Sequence, residues 1–203
     1  MSQPTLLDLL GGRRSALDAT VPTAAFVVVL IATRGTEPGL QLRAALAAGV
    51  VTAVVTAIWR TVRGQQPRAA VVGLLPVLGG AVIAARTGRP EDFFILRILA
   101  NAASALAWTG SIWIGRPLLG VISGAALRQR GRWRGDPHLY TGYRRGSWWW
   151  AASFWLRAAV FAALWVAELP VLLGLAQVGM SWPLMTAVLL LSWRALRLAL
   201  PPE

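Results

Sequence analysis

Long apolar runs separated by short polar segments dominate the pattern along the chain. Runs of about 18 or more apolar residues are typical of membrane-spanning helices, because a helix needs ~20 residues to cross the hydrocarbon core. We therefore predict an all-α, six-helix transmembrane bundle that forms a single integral membrane domain over residues 1–203. The six predicted spans are about 17–33, 40–59, 69–85, 93–115, 147–170 and 182–198. For residues 116–127, the pattern fits either a helical extension or a stretch at the membrane interface.

Composition supports the membrane interpretation. Hydrophobic residues make up 56% of the 203 positions, and the mean hydropathy is +0.58. Only 14% of the residues are charged, whereas a soluble domain carries about 25%. These values exclude an ordinary soluble domain and predict a multi-pass protein of the cytoplasmic membrane.

Arginines are distributed unevenly between the two sets of predicted loops. The formal charge is +12, and all basic residues are arginines. The N-terminus, the second loop, residues 116–145 and the tail together hold fourteen arginines, while the first and third loops hold Arg34, Arg86 and Arg89. Because cytoplasmic loops carry the excess of basic residues, this bias predicts that both termini are cytoplasmic.

The fourth predicted loop, residues 128–145, carries the densest group of arginines. On a cytoplasmic face such a group favours contact with anionic lipid headgroups. The interleaved aromatic residues superficially resemble a nucleic-acid-binding segment, but we expect no nucleic acid partner. The arginines expected to contact anionic lipid are Arg128, Arg130, Arg132, Arg134, Arg144 and Arg145. A membrane-protein partner or a second copy of the chain stays open as a further partner.

Two charged residues lie inside the fifth predicted span. Arg157 and Glu168 are eleven residues apart, or about 16 Å along a helix, so they cannot pair with each other. A charge at the centre of a bilayer costs about 2.5–3.5 kcal/mol, which predicts partners on another helix. On the fourth span, Arg97, Asn101 and Ser104 follow helical spacing and share one face. We call these five residues the polar seam.

Depth and sign suggest how the charges pair. Arg97 and Glu168 are both predicted near the outer surface, so we expect them to form an ion pair. Arg157 lies deeper, and we expect polar groups around Asn101 to serve it. The seam fits a structural set of buried pairs, a path for a substrate or ion, or side chains that extend to the headgroups. At the inner surface, we expect Asp18 to pair with Arg116.

Motifs of the common enzyme classes are absent from the sequence. There is no zinc-protease H-E-x-x-H, no phosphate-binding loop with its lysine and no dinucleotide fingerprint. The chain has no cysteine and a single histidine, His138, so cysteine and histidine metal clusters are excluded. We expect no catalytic residue, no metal and no cofactor, and we predict that the protein is not an enzyme.

Several motifs together carry a resemblance. They are "LLDLLGGRRSALDATVPTAAFVV", "AARTGRPEDFF", "GRPLLGVISG", "GRWRGDP" and "GMSWPLM". The chain resembles a family of small multi-pass membrane proteins of high-GC Gram-positive bacteria that is catalogued as a domain of unknown function. A weaker similarity, through "RPLLG", links it to the intracellular-septation family of inner-membrane proteins. That similarity implies a role in envelope maintenance or division.

Two functions follow as hypotheses. The first is a non-enzymatic scaffold or interaction protein associated with the cell envelope. The alternative is a small transporter or channel with a polar path between the fourth and fifth helices. Pro76, in the middle of the third span, fits both, because proline kinks a packed helix and also breaks helices at transport sites.

Overall fold

The computed structural model describes residues 12–64, 67–126 and 132–197, with side chains described for 20–64, 73–125 and 133–197. Within these ranges the chain is helical and contains no strand. The α-helices are α1 Gly12–Ala32, α2 Pro38–Val62, α3 Pro67–Thr87, α4 Ile95–Trp113, α5 Leu118–Ala126, α6 Pro137–Val166 and α7 Pro170–Arg197. Short 3-10 helices cover Pro90–Phe94 and Arg132–Arg134.

Proline and glycine mark most helix ends. α2, α3, α6, α7 and the first 3-10 helix all begin with proline, which fits because the first helical N–H has no partner to lose. Gly88 and Gly115 follow the ends of α3 and α4 with φ of 75° and 74°. Glycine adopts this left-handed conformation without a Cβ penalty, so the two residues terminate their helices.

Among the residues that the structure describes, four helices are long and apolar enough to cross a membrane. They are Pro38–Val62, Pro90–Trp113, Pro137–Val166 and Pro170–Arg197. Shorter apolar helices cover Thr20–Ala32 and Gly73–Thr87 in the part with described side chains. The all-α class is confirmed, and the chain is a membrane protein with several apolar helices.

Two helices begin ten or more residues earlier than the sequence predicted. α6 begins at Pro137, whereas the fifth span was expected to begin at residue 147 and to follow a loop. The side chain of Asp136 caps this start, because its Oδ1 accepts hydrogen bonds from the main-chain N–H groups of His138 and Leu139 at 2.9 and 3.3 Å. α7 likewise begins at Pro170, twelve residues before the expected start.

The chain divides into two compact units. Unit 1 comprises Met1–Arg97 and Ala163–Gly179, and unit 2 comprises Ile98–Ala162 and Met180–Glu203. The unit boundaries fall inside α4, α6 and α7.

In unit 1, α1 packs against α2, α2 against α3, and α3 against the turn Pro90–Phe94. A phenylalanine cluster of Phe26, Phe93 and Phe94 fills the space between α1 and this turn. Phe26 stacks on Phe93 with ring centroids 4.3 Å apart, and both rings meet Phe94 edge to face. All three side chains are buried.

In unit 2, aromatic packing joins α4 to α6. The Trp108 and Trp150 rings stack with centroids 5.3 Å apart. The indole Nε1 of Trp155 donates a hydrogen bond to Thr109 Oγ1 at 3.2 Å. The helices α4 and α6 are therefore neighbours, as the predicted polar seam assumed. The contacts between them described here are made by tryptophans.

Candidate functional site

An ion-pair network lies where α3 ends and the turn Pro90–Phe94 begins. Arg89 Nε donates to Glu91 Oε1 at 2.6 Å, and Arg89 Nη2 donates to Glu168 Oε1 at 3.1 Å. Glu91 is 4% exposed, whereas the side chain of Glu168 is 68% exposed. One guanidinium therefore bridges a buried and an exposed carboxylate. The hydrogen bond to Glu91 raises the pKa of Arg89 above its ordinary value.

The same turn holds the end of α6 through a tryptophan. Trp165 Nε1 donates a hydrogen bond to the buried carboxylate of Asp92, with 2.7 Å between Nε1 and Oδ1. The guanidinium of Arg89 lies 5.6 Å from the centroid of the Trp165 ring, within the range of a cation–π contact. We call Arg89, Glu91, Asp92, Trp165 and Glu168 the Arg89 cluster.

Glu168 has an unusual backbone conformation. Its φ is +56°, and it is the one non-glycine residue with positive φ in the described part of the chain. The N–H of Glu168 bonds to the carbonyl of Trp165, and the N–H of Leu169 bonds to that of Leu164, each at 3.1 Å. These bonds close α6 in the way that a glycine normally does. The conformation also holds the Glu168 side chain beside Arg89.

The predicted pairing of Glu168 with Arg97 is wrong. Its partner is Arg89, which the sequence interpretation had treated as a loop residue that only set topology. The available signal was the spacing in "RPED": proline opens a tight turn and brings Arg89 next to Glu91. Arg97 is half-buried and lines two cavities of unit 1.

Arg157 also has a different partner from the one expected. Its Nη2 donates to the main-chain carbonyl of Met180 at 3.2 Å, and its guanidinium lies 5.6 Å from the Phe154 ring centroid. The expected partners around Asn101 were therefore wrong for this group. Asn101 and Ser104 are half-buried. These three residues belong to unit 2, whereas Arg97 and Glu168 belong to unit 1, so a continuous polar seam stays a prediction.

Asp18 of the inner pair and half of the six basic-loop arginines have side chains outside the described residues. This applies to the side chains of Asp18 and Arg132 and to all of Arg128 and Arg130. Among the other arginines of these two predictions, all are exposed: Arg116, Arg134, Arg144 and Arg145. Both the Asp18–Arg116 pair and the lipid contact stay predictions.

Trp133, which sequence reasoning overlooked, anchors the basic segment. It is 2% exposed, and its ring lies directly on two glycines of α5. A Cβ added at Gly120 would lie 2.9 Å from this ring, and one at Gly124 would lie 2.7 Å from its Nε1. Only glycine fits at such distances. The signal was the small-residue spacing in "GVISG", which lets another group approach a helix closely.

Three cavities of unit 1 are described. One of about 140 Å³ includes Arg60, Gly73, Pro76 and Arg97 in its lining. A second, of about 20 Å³, shares Pro76 and Arg97 with it. The third is the largest of them, at about 380 Å³, and its lining comprises Leu30, Arg34, Gln41, Pro90, Glu168, Leu169, Pro170, Val171 and Leu172. Among the described residues, no group of three or more His, Cys, Asp or Glu side chains could hold a metal ion.

Comparison with known proteins places the chain in a family. The model of the family described as "Protein of unknown function (DUF3159)" matches residues 10–203. The chain therefore belongs to this family. No curated protein matches it, and no solved structure matches it.

Proposed function

We propose that this member of the DUF3159 family is a six-helix protein of the bacterial cytoplasmic membrane that acts as a non-enzymatic, envelope-associated scaffold. Six spans are supported by α1 and α3, continuous helices of 21 residues each that cover most or all of the predicted first and third spans and carry their arginines near the ends. Such helices are about 31 Å long, close to the ~30 Å hydrocarbon core. The arginine bias supports cytoplasmic termini.

Cysteine labelling tests this topology. The chain has no native cysteine, and Gly135 and Thr87 are both exposed. In intact cells, Gly135→Cys should resist a membrane-impermeant thiol reagent, and Thr87→Cys should react with it. Labelling at residue 135 together with protection at residue 87 would reverse the proposed orientation.

The observation that carries the scaffold role is how polar side chains are used inside unit 1. Buried Gln177 donates to Thr23 Oγ1 at 2.7 Å and so joins α7 to α1. Trp165 and Asp92 join α6 to the turn at the same distance. Short bonds between helices fix one arrangement, which suits a protein that presents a constant surface. Exposed tryptophans occur on both units: unit 1 has Trp59, and unit 2 has Trp113, Trp148, Trp149, Trp155 and Trp193.

Anionic lipids are the first proposed partner. Arg144 and Arg145 are exposed, and exposed Trp148 and Trp149 follow on the same helix. Tryptophan favours the headgroup level, where an arginine near an anionic surface contributes about 1 kcal/mol. Arg144→Gln with Arg145→Gln should weaken binding to vesicles containing phosphatidylglycerol. An unchanged binding constant would leave these arginines with a role in topology alone.

A transporter is the second candidate function. Pro76, Val77 and Arg97 line both the 140 Å³ and the 20 Å³ cavities of unit 1. A proline inside a helix beside a charged cavity is an arrangement that transporters use at binding sites. A substrate path through these cavities would need them to remain open.

Filling the 140 Å³ cavity distinguishes the two functions. A Cβ at Gly73 meets nothing within 4 Å, so Gly73→Leu adds a side chain at the cavity wall without a backbone clash. Gly110 is equally open and does not line a described cavity, so Gly110→Leu is the matched control. Each variant is expressed in a strain that lacks the chromosomal copy, and competitive fitness is measured at equal protein abundance.

A scaffold predicts that both variants restore fitness and that the same proteins and lipids co-purify with each from native membranes. Loss of fitness with Gly73→Leu alone, at normal abundance and with unchanged co-purification, would replace the scaffold with a transporter. Loss of the co-purifying partners with Gly110→Leu alone would instead locate the scaffold's contact surface on α4.

A further inference from the structure

The 380 Å³ cavity of unit 1 has mostly apolar walls and two opposite charges. Leucine, valine and proline side chains form most of the lining, and Arg34 and Glu168 contribute the charges. Its volume falls in the range of about 300–1,000 Å³ that is usual for small-molecule sites. The cavity is therefore large enough for a lipid headgroup and the first part of its acyl chains.

The negative charge at this cavity is only partly neutralised. Within the described ranges, Arg89 is the single cation bonded to Glu91 and Glu168, so the three groups together carry one surplus negative charge. The surplus is available at Glu168, because Glu91 is buried. The second carboxylate oxygen of Glu168 accepts no hydrogen bond from the part of the chain that the structure describes.

The positive charge at the cavity has no partner among the described residues. Arg34 is exposed, and its guanidinium makes no ion pair, hydrogen bond or ring contact with them. Arg34 and Glu168 line one cavity without forming a salt bridge to each other. The site thus offers a separate cation and anion, with apolar surface between helices α1 and α7.

We propose that this cavity binds the headgroup of a zwitterionic aminophospholipid, represented by phosphatidylethanolamine. Arg34 receives the phosphate, the free carboxylate oxygen of Glu168 accepts a hydrogen bond from the ammonium, and the apolar lining covers the adjoining chain. This inference rests on the membrane location in the proposed function, but not on the scaffold role or on the orientation of the chain.

Other headgroups fit the charges less well. A phosphatidylglycerol headgroup can bind Arg34 but supplies no cation for Glu168. Phosphatidylcholine has a cation, but its quaternary ammonium has no N–H and cannot donate to the carboxylate. Phosphatidylethanolamine satisfies both ends of the cavity, with its phosphate at Arg34 and its primary ammonium at Glu168, so lipid selectivity is the sharpest sign of this site.

Titration of the purified full-length chain with each lipid tests the proposal by native mass spectrometry. The three lipids carry identical acyl chains, and soluble phosphoethanolamine is the chain-free probe. Phosphatidylethanolamine should bind about tenfold more tightly than phosphatidylcholine, a ratio that one charge-assisted hydrogen bond can supply. Soluble phosphoethanolamine should bind far more weakly, because it leaves the apolar lining uncovered.

Two substitutions separate the two ends of the headgroup. Glu168→Gln should lower the affinity for phosphatidylethanolamine to the phosphatidylcholine level and leave phosphatidylcholine unchanged. Arg34→Gln should weaken both lipids by about tenfold. Glu37→Gln and Arg86→Gln are the controls, because both residues are exposed, carry the same charges and do not line this cavity.

A third variant keeps the test decisive if Glu168→Gln does not fold. Val171→Trp changes no charge and should block the cavity, so binding of all three lipids should fall.

Equal affinity for the ethanolamine and choline lipids in the native chain would overturn the proposal. Preference for phosphatidylglycerol, or equally tight binding of soluble phosphoethanolamine, would also overturn it. The proposed scaffold role fails on a different result, the loss of fitness with Gly73→Leu.

Discussion

The two compact units treat buried polar atoms differently. In unit 1, the indole of Trp165 reaches Asp92 and the amide of Gln177 reaches Thr23, each at 2.7 Å. In unit 2, several buried polar atoms have no hydrogen-bond partner within the described ranges. They are Trp150 Nε1, Arg157 Nε, Trp182 Nε1 and Ser192 Oγ.

This difference indicates which force fixes each unit. Breaking a buried hydrogen bond costs more than the bond contributes, because one polar group is then left desolvated and unpaired. Paired groups therefore specify the arrangement of unit 1. Both units contain packed aromatic rings, but in unit 2 the tryptophan contacts, such as Trp108 on Trp150 and Trp133 on α5, occur beside buried polar atoms that have no described partner. We expect unit 1 to be sensitive to lost hydrogen bonds and unit 2 to lost aromatic volume.

The largest expected effect is in unit 2. Trp133→Ala should lower the free energy of unfolding by about 3–5 kcal/mol, because it removes a fully buried ring and leaves a cavity. Trp133 also stacks near Tyr140 and meets Tyr143 edge to face, so those rings lose a neighbour. Unfolding is followed by tryptophan fluorescence in mixed micelles with increasing denaturing detergent. A loss below about 1 kcal/mol would remove aromatic packing as the main stabiliser of unit 2.

A matched pair of conservative changes sharpens the comparison. Trp165→Phe should lower the free energy of unfolding by about 1–3 kcal/mol, because the buried carboxylate of Asp92 loses its donor. Trp182→Phe removes an N–H that has no described partner, so it should be neutral or slightly stabilising.

Both variants lose one indole N–H and keep an aromatic ring, so the ring change itself is largely controlled. The same detergent titration measures both. Equal losses for the two variants would mean that the units do not differ in polar satisfaction, and the comparison between them would have to be abandoned.

The smallest expected effect concerns the backbone of Glu168. Glu168→Gly and Glu168→Gln both remove the carboxylate, but glycine also relieves the left-handed conformation at φ +56°. The glycine variant should therefore be more stable than the glutamine variant by about 1 kcal/mol. The difference between their unfolding midpoints measures this quantity. A glutamine variant that is the more stable of the two would show that the end of α6 rearranges.

Much of the helical architecture could be predicted because long apolar runs have few alternatives in a membrane. The start of α6 at Pro137 was missed because "PHLYTGYRR" is polar, and a hydropathy criterion recognises the helix only from the apolar residues that follow it. The capping residue Asp136 and the following proline were the better signals there. The short helix α5 stayed open in the prediction, because its apolar sequence fits a helical extension and an interfacial segment equally well.

The site was harder to predict than the fold. Charges were matched by their depth along ideal helices, which favoured Arg97 as the partner of Glu168. The actual partner, Arg89, lies outside the helices and is aligned by a proline turn. A positive φ at Glu168 could not be foreseen either, since glycine normally occupies that position. Tertiary contacts across 79 residues determined this pairing, and local patterns contain little information about them.

The two carboxylates that share Arg89 are also synthesised at different times. Glu91 is made two residues after Arg89, whereas Glu168 follows 79 residues later. At about 5–20 residues per second, the second partner arrives roughly 4–16 s after the first. The helices α4, α5 and α6 are synthesised during this interval, while Glu91 is already available to pair with the arginine. Glu168 then completes the network when α6 has been synthesised, so the shared guanidinium links an early stage of insertion to a late one.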